Sequence, residues 1–157
     1  MEEVLVEIVE FPETRVAAVE FQGPPDDQYI YLQRLISWRM ENGFLPSPQH
    51  RTYGLHYNDI RVVPADQYRV DFCVSVEQPV AANGYGVVNK ILPASRCAKA
   101  RHIGSREDVA VANYLYDDWL PASGETFSGD PIIFHYVNVG PQVLEQDMIT
   151  DVYLPLK

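Results

Sequence analysis

Four histidines, two cysteines and 22 carboxylates are the groups through which this chain could do chemistry, and their spacing decides which chemistries are open. His50 and His56 sit six residues apart in the strand-like run "HRTYGLHYN", so both fall on one face of it. A metal site needs further ligands converging on the same point, and His102, His135, Cys73 and Cys97 stand singly; no metal is assigned. Asp71 and Asp151 are unusual in lying inside apolar strand-like runs, where a carboxylate needs a partner. Arg69, on the same face as Asp71, is the expected partner. Glu125, after "LPASG", is placed to reach the mouth of a pocket. "GYGVVNK" holds two glycines without a strand-to-helix context, so no dinucleotide site is read there, and there is no phosphate loop and no Gly-x-Ser-x-Gly elbow. No catalytic residue and no cofactor are assigned.

These groups must be held by a chain of 157 residues, enough to bury one core without disulfide or metal staples. Hydrophobic residues make up 46% and charged residues 22%, the balance of a globular protein. The formal net charge of −10, with no Lys/Arg cluster, argues against direct binding of nucleic acid, whose phosphates it would repel. Both cysteines lie in apolar runs and read as small buried hydrophobes. The acidic, alternating start "MEEVLVEIVEFP" has neither the basic region nor the apolar stretch of a targeting peptide. No apolar run approaches the about 20 residues that span a bilayer, and the expected compartment is the cytoplasm.

The positioning elements come in two sets. "FPETRVAAVEFQG" and "LPASRCAKARHIG" align at an offset of 81, placing Pro12, Arg15, Ala17 and Gly23 on Pro93, Arg96, Ala98 and Gly104, and Trp38 on Trp119. "YRVDFCVSV" and "MITDVYLPL" align at an offset of 80, placing Asp71 on Asp151. In the first half, alternation predicts strands around Val4–Ile8 and through Phe21, and two more over "HRTYGLHYN" and "YRVDFCVSV". Between them "DDQYIYLQRLISWRMENG" has apolar residues at Tyr29, Leu32, Ile36 and Met40, a helical period, with Asp26 or Asp27 as cap and Gly43 as stop. The second half predicts strands over 86–92, 95–102, 131–138 and 147–154. Its helix runs from about Asp108 to Trp119, with Ser105 and Asp108 as a capping box and Val109, Ala112, Tyr116 and Trp119 as the buried stripe. Pro79, Gly84 and Gly86 mark the joint. The expected fold is α+β: one domain over 1–157 built from two pseudo-symmetric strand-helix-strand-strand modules, about 1–80 and 81–157. An antiparallel sheet should carry two long helices on one side, with a central cleft.

The ordered motifs "YGLHYND", "YRVDFCVSV", "LPASRCAKARHIG", "YLYDDWLPASGE", "DPIIFHYVN" and "TDVYLPL" resemble the GyrI-like small-molecule-binding family. That family includes the DNA gyrase inhibitory protein and the effector-binding domains of several transcription regulators. The resemblance implies the two-module fold and a cleft between modules that accepts hydrophobic, in many members cationic, small molecules. This chain resembles the stand-alone members, which lack a DNA-binding helix-turn-helix. It departs from the family at two positions. Where members usually carry a glutamate two residues before the tyrosine of "HYVN", this chain has Phe134, which cannot titrate or hydrogen-bond but offers a cation a π-face. Where members commonly have a tyrosine, it has His56, which would be the cleft's one group titrating near neutrality. An offset of 80 matches His56 to Tyr136 and Asn58 to Asn138, whereas 79 would match His56 to His135.

The expected ligand-binding residues are therefore His56, Trp119, Phe134 and Tyr136. Trp119 is chosen because "WLPASG" resembles the family's pocket edge. The leading expectation is a stand-alone domain binding a small hydrophobic or cationic organic ligand. The alternative is a protein-interaction module such as a gyrase inhibitor or modulator, working through its acidic surface. Hydrolysis of electrophilic small molecules, known in some members, is disfavoured by Phe134, and the expectation leans away from an enzyme.

Overall fold

A computed structural model describes residues 4–59 and 61–157; Met1 to Glu3, at the head of the acidic start, lie outside the described residues. The strands are β1 (Val6–Phe11), β2 (Thr14–Gln22), β3 (Thr52–His56), β4 (Arg69–Ser75), β5 (Val88–Leu92), β6 (Ser95–Ile103), β7 (Ile132–Tyr136) and β8 (Ile149–Pro155). They form one antiparallel sheet in the order β1-β6-β8-β7-β3-β4-β2-β5. Exchanging β1–β4 with β5–β8 returns the same order reversed, with the β7–β3 pair at the centre. Fold class and strand positions follow the expectation, with one swap: β1 pairs with β6 and β5 with β2, so each half lends its first strand to the other.

That swap bends the sheet. Only Pro12 and Glu13 separate the end of β1, at one edge, from the start of β2, next to the opposite edge. Two residues bridge about 10 Å, whereas six strand spacings in a flat sheet would be about 29 Å. The sheet must therefore curl. Inside the curl Phe11 of β1 meets Tyr53 of β3 at 5.9 Å and Tyr153 of β8 at 5.1 Å between ring centroids. Leu55, Ile133, Cys73 and Cys97 belong to the same core, and both thiols are free and buried.

The other face carries the helices. α1 (Gln28–Asn42) ends at Gly43, whose φ of 77° is the left-handed conformation in which glycine carries no Cβ penalty. Its N-cap position is Asp27, though no side-chain bond caps the helix there. Its buried residues are Leu35, Trp38 and Arg39, packed over Val19, Phe21, Val70 and Phe72; Trp38 stacks on Phe44 at 5.0 Å. Met40, the last of the four apolar residues at helical spacing, is 68% exposed, and Tyr29 and Ile36 are partly open because they border a cavity. The second helical run spans 110–123: α2 (Ala110–Tyr114), a π-helical turn (Leu115–Trp119) and α3 (Leu120–Ser123). It passes the expected end at Trp119 and stops at Gly124, φ 78°. The π-turn precedes Pro121, which has no N–H to donate back into the helix, so widening the turn accommodates the missing bond. The expected capping box is absent. Ser105 Oγ instead accepts from the Glu107 N–H at 3.2 Å, and Asp108 Oδ1 accepts from the Ala110 N–H at 2.9 Å. Among the described residues no helix is long and apolar enough to cross a membrane.

Candidate functional site

β3 and β7 meet at the centre of the sheet with α1 on one side and the 110–123 run on the other, and the space between the helices is not filled. It is a cavity of about 600 Å³. Its floor is one face of three paired strands. Thr52 lies opposite Tyr136, Gly54 opposite Phe134 and His56 opposite Ile132, with Phe72 of β4 beyond Gly54. One wall is the Tyr29, Leu32 and Ile36 stripe of α1; the other is Val109, Ala112 and Tyr116. The apolar stripe on α1 is thus real, but it borders an open cavity, which is why Tyr29 and Ile36 retain exposure.

Strand parity settles which residues face this cavity. Because opposed residues share a face, Thr52, Gly54, His56, Ile132, Phe134 and Tyr136 look one way, while Tyr53, Leu55, Ile133 and His135 look into the curl. His135 packs on Tyr53 at 5.0 Å there. Only an even offset keeps His56 and its counterpart on one face, so Tyr136, not His135, is the residue that corresponds to His56.

His56, Phe134 and Tyr136 are brought together on the cavity floor. The imidazole of His56 lies 4.3 Å from the Phe134 ring, and its Nε2 is buried without a hydrogen-bond partner. Desolvation lowers its pKa to about 4, so the ring is neutral at pH 7 and does not titrate near neutrality as expected. Burial likewise raises the Tyr136 hydroxyl's pKa, and the Arg106 guanidinium sits 5.1 Å from the Tyr136 ring centroid. Trp119 is elsewhere: it packs against the cluster of Ala98, Leu115, Val152 and Leu154 and is not among the residues bordering the cavity.

Asn138, matched to Asn58 at an offset of 80, serves the backbone. Its Oδ1 accepts from the Ile149 N–H at 2.7 Å and its Nδ2 donates to the Asp147 carbonyl at 2.8 Å. Asn58 repeats the first of these bonds with the Arg69 N–H, also at 2.7 Å.

Three residues that shape the cavity went unread in the sequence, two on its lining and one beneath it. Arg39 is 5% exposed; it donates Nη1 to Thr52 Oγ1 at 2.9 Å and Nε to the Phe44 carbonyl at 2.8 Å, and desolvation lowers its pKa to about 10. It remains a cation at pH 7. Its signal was present: Arg39 continues the Leu32, Leu35, Ile36 spacing, and only its charge suggested a surface position. Arg106 is half-buried and donates to the Ile149 carbonyl at 3.2 Å, Thr150 Oγ1 at 3.1 Å and the Asn138 carbonyl at 2.8 Å. Gly54 is the third. A Cβ there would meet the Tyr136 hydroxyl at 2.8 Å and His56 Nε2 at 3.4 Å, so the strand must have glycine for both side chains to close over it.

Carboxylates are absent from the buried part of this site among the described residues. Asp71 and Asp151 are buried on the opposite face. Asp71 accepts from the Tyr57 hydroxyl at 2.5 Å and pairs with Lys90, not with Arg69, which reaches Glu20 at 3.4 Å. The expected Arg69–Asp71 pair fails because Lys90 reaches Asp71 from β5, an element whose pairing with β2 the sequence did not reveal. Asp151 is held by Arg101 at 2.8 Å. Glu125 is gripped by both Nη atoms of Arg96, at 2.6 and 2.8 Å, which lowers its pKa, and it does not border the cavity. The bordering acids are Asp26 and Glu107, both exposed, and Asp59, which is paired with Arg61 at 2.7 Å.

This arrangement has relatives. The sequence profile of the GyrI-like small molecule binding domain matches residues 5–157. The Probable transcriptional regulator YgiV of Escherichia coli (strain K12) is 38% identical over 152 residues, covering 96% of this chain and 95% of that protein. The DNA gyrase inhibitor of Erwinia billingiae (strain Eb661) is 26% identical over 161 residues, covering 96% of each. Among solved structures, the EcmrR C-terminal domain superposes with a TM-score of 0.77 at 17% identity, over 98% of each chain. At that identity the likeness speaks to the fold alone. The profile match across nearly the whole chain and the YgiV identity together place the protein: it belongs to the GyrI-like small-molecule-binding domain family.

Proposed function

We propose that the cavity between α1 and the 110–123 run is a receptor for a small organic molecule with a flat apolar body, used as the effector-binding domains of transcription regulators use theirs. The observation that carries this reading is the unfilled 600 Å³ space itself, a volume typical of ligand sites. Two helices present apolar stripes to it and leave them partly open, an arrangement that costs stability unless something else covers them. Similarity to a probable transcriptional regulator supports the comparison with effector domains. His56, Phe134 and Tyr136 form the floor against which the ligand packs. Trp119 supports the 110–123 wall from behind. A hydrolytic role is not favoured, since Glu125 is engaged by Arg96 and the buried carboxylates lie on the far face.

The test is thermal unfolding against a panel of apolar organic molecules of positive, zero and negative charge at millimolar concentration. Binding to the native state must raise the melting temperature in a saturable way. Ile36→Trp, which fills the cavity from α1, should abolish the rise. A panel in which no compound shifts the transition sinks the reading.

A second reading is favoured by the net charge of −10 and the similarity to a DNA gyrase inhibitor: contact with a basic protein surface. It predicts an association with gyrase that weakens steeply with salt. Binding indifferent to salt would count against it.

A further inference from the structure

The two ends of the cavity differ in charge. At one end stand Arg39 and Arg106. They are joined through a single rung of the sheet: Arg39 bonds Thr52, Thr52 lies opposite Tyr136, Tyr136 lies opposite Thr150, and Arg106 bonds Thr150 while covering the Tyr136 ring. One strand spacing separates Tyr136 from each threonine, so the two hydroxyls that hold the guanidiniums stand on either side of it, on strands about 10 Å apart. Among the described residues neither enters an ion pair. Glu107, next to Arg106 in the chain, is exposed. The acids Asp26 and Asp59 lie at the other end, before α1 and after β3. Neither arginine is fully used. A guanidinium has five N–H groups; Arg39 commits three bonds, to Thr52, Phe44 and His50, and the Nε–H of Arg106 bonds nothing among the described residues.

We propose that this cavity selects a monoanionic aromatic acid, with its carboxylate between Arg39 and Arg106 above Tyr136 and its ring against Leu32, Phe134 and Tyr116. The inference rests on the small-molecule reading of the same cavity and reverses the cationic ligand that the family resemblance suggests. A cation finds only the π-face of Phe134 where the family's carboxylate is expected, a weaker hold than a desolvated charge. It would also meet two unpaired positive charges. A carboxylate, by contrast, supplies the missing counter-charge and accepts charge-assisted hydrogen bonds from the N–H groups that remain free on both arginines. A monoanion matches because each arginine is already partly satisfied by carbonyls, and because the remaining walls are apolar.

The experiment is titration calorimetry of the full chain at low salt with three ligands of one shape: 2-naphthoate, 2-naphthamide and 2-naphthylmethylammonium. Naphthoate should bind at least tenfold more tightly than the amide, and the ammonium most weakly. Arg106→Gln should erase the gap between naphthoate and naphthamide while leaving amide binding in place. Because Arg106 also bridges the Ile149 and Asn138 carbonyls, that variant could fail to fold; the ligand series on the unaltered protein then decides. An amide or ammonium that binds as tightly as naphthoate overturns the selectivity and leaves the small-molecule reading standing. If none of the three binds at millimolar concentration the inference falls, and the wider melting panel decides whether the cavity takes any ligand.

Discussion

Thr52 and Tyr136 face each other across β3 and β7, and each holds an arginine over the cavity, Arg39 through the Thr52 hydroxyl at 2.9 Å and Arg106 on the Tyr136 ring at 5.1 Å. The pair couples sheet register to the charge of the site. Replacing Thr52 by valine keeps the shape and the strand preference but removes the acceptor for Arg39 Nη1. A buried charged donor left unsatisfied costs about 1–3 kcal/mol. Urea denaturation of Thr52→Val should show a loss in that range. An unchanged midpoint would mean that Arg39 is held by the Phe44 and His50 carbonyls alone.

Gly54 lies between these groups and the opposite end of the floor. The added methyl of Gly54→Ala would stand 2.8 Å from the Tyr136 hydroxyl, so the tyrosine ring must swing away, leaving Arg106 uncovered. The chain should still fold, with a loss of about 1–2 kcal/mol by the usual cost of overpacking. The larger effect falls on the site: the melting-temperature rise given by any cavity ligand should shrink well below that of the parent. A variant with full ligand response would show that Tyr136 is free to move without consequence.

The elements and their alternation were legible because they follow from local patterns. Strand parity, the αL stop at Gly43 and the dual occurrence of Asp71 and Asp151 in apolar runs all survive in the structure. Asn58 and Asn138, matched at an offset of 80, make the same bond to a backbone N–H of the following strand. What escaped was non-local. Nothing in the run "VVNKIL" says that β5 pairs with β2 or that Lys90 lands beside Asp71, since pairing between distant strands leaves no spacing in the chain. Arg39 escaped for a different reason. A charged residue on an apolar helical face reads as a snorkelling side chain, and only the packed sheet shows that it is 5% exposed. Trp119 was assigned to the site by its neighbours in sequence, yet the π-helical turn it belongs to holds it against the Ala98 cluster.

His56 gives the pH dependence a definite sign. Its pKa is lowered from 6.5 to about 4 in the folded state, so between those values the unfolded chain binds more protons than the native one. Stability therefore rises with pH through that window, and falls as pH drops from about 6.5 toward 4. The full shift corresponds to about 3 kcal/mol. Other groups titrate in the same range, so the informative quantity is the difference between parent and His56→Gln. The variant's stability should fall less steeply over pH 6.5 to 4, by denaturant titration at each pH. Parallel curves would mean that the imidazole is solvated in the native state.

The opposite face offers a control that separates folding from binding. Asp71 is fully buried, with Lys90 and the Tyr57 hydroxyl as its partners and its Oδ1 unbonded. Lys90→Met removes the cation and leaves a buried carboxylate whose one remaining partner is a phenol. Breaking a buried pair in this way costs roughly 3–5 kcal/mol, reduced here because Lys90 is 24% exposed and partly screened. Restoring neutrality with Asp71→Asn in the Lys90→Met background should recover much of the loss, because the uncompensated charge, more than the lost attraction, is the cost. Neither change touches the cavity floor, since Asp71 lies on the curl side of β4 and Phe72 on the cavity side. Ligand affinity measured well below the melting temperature should thus match the parent in both variants. A ligand affinity that fell along with stability would mean that the two faces of β4 are energetically coupled.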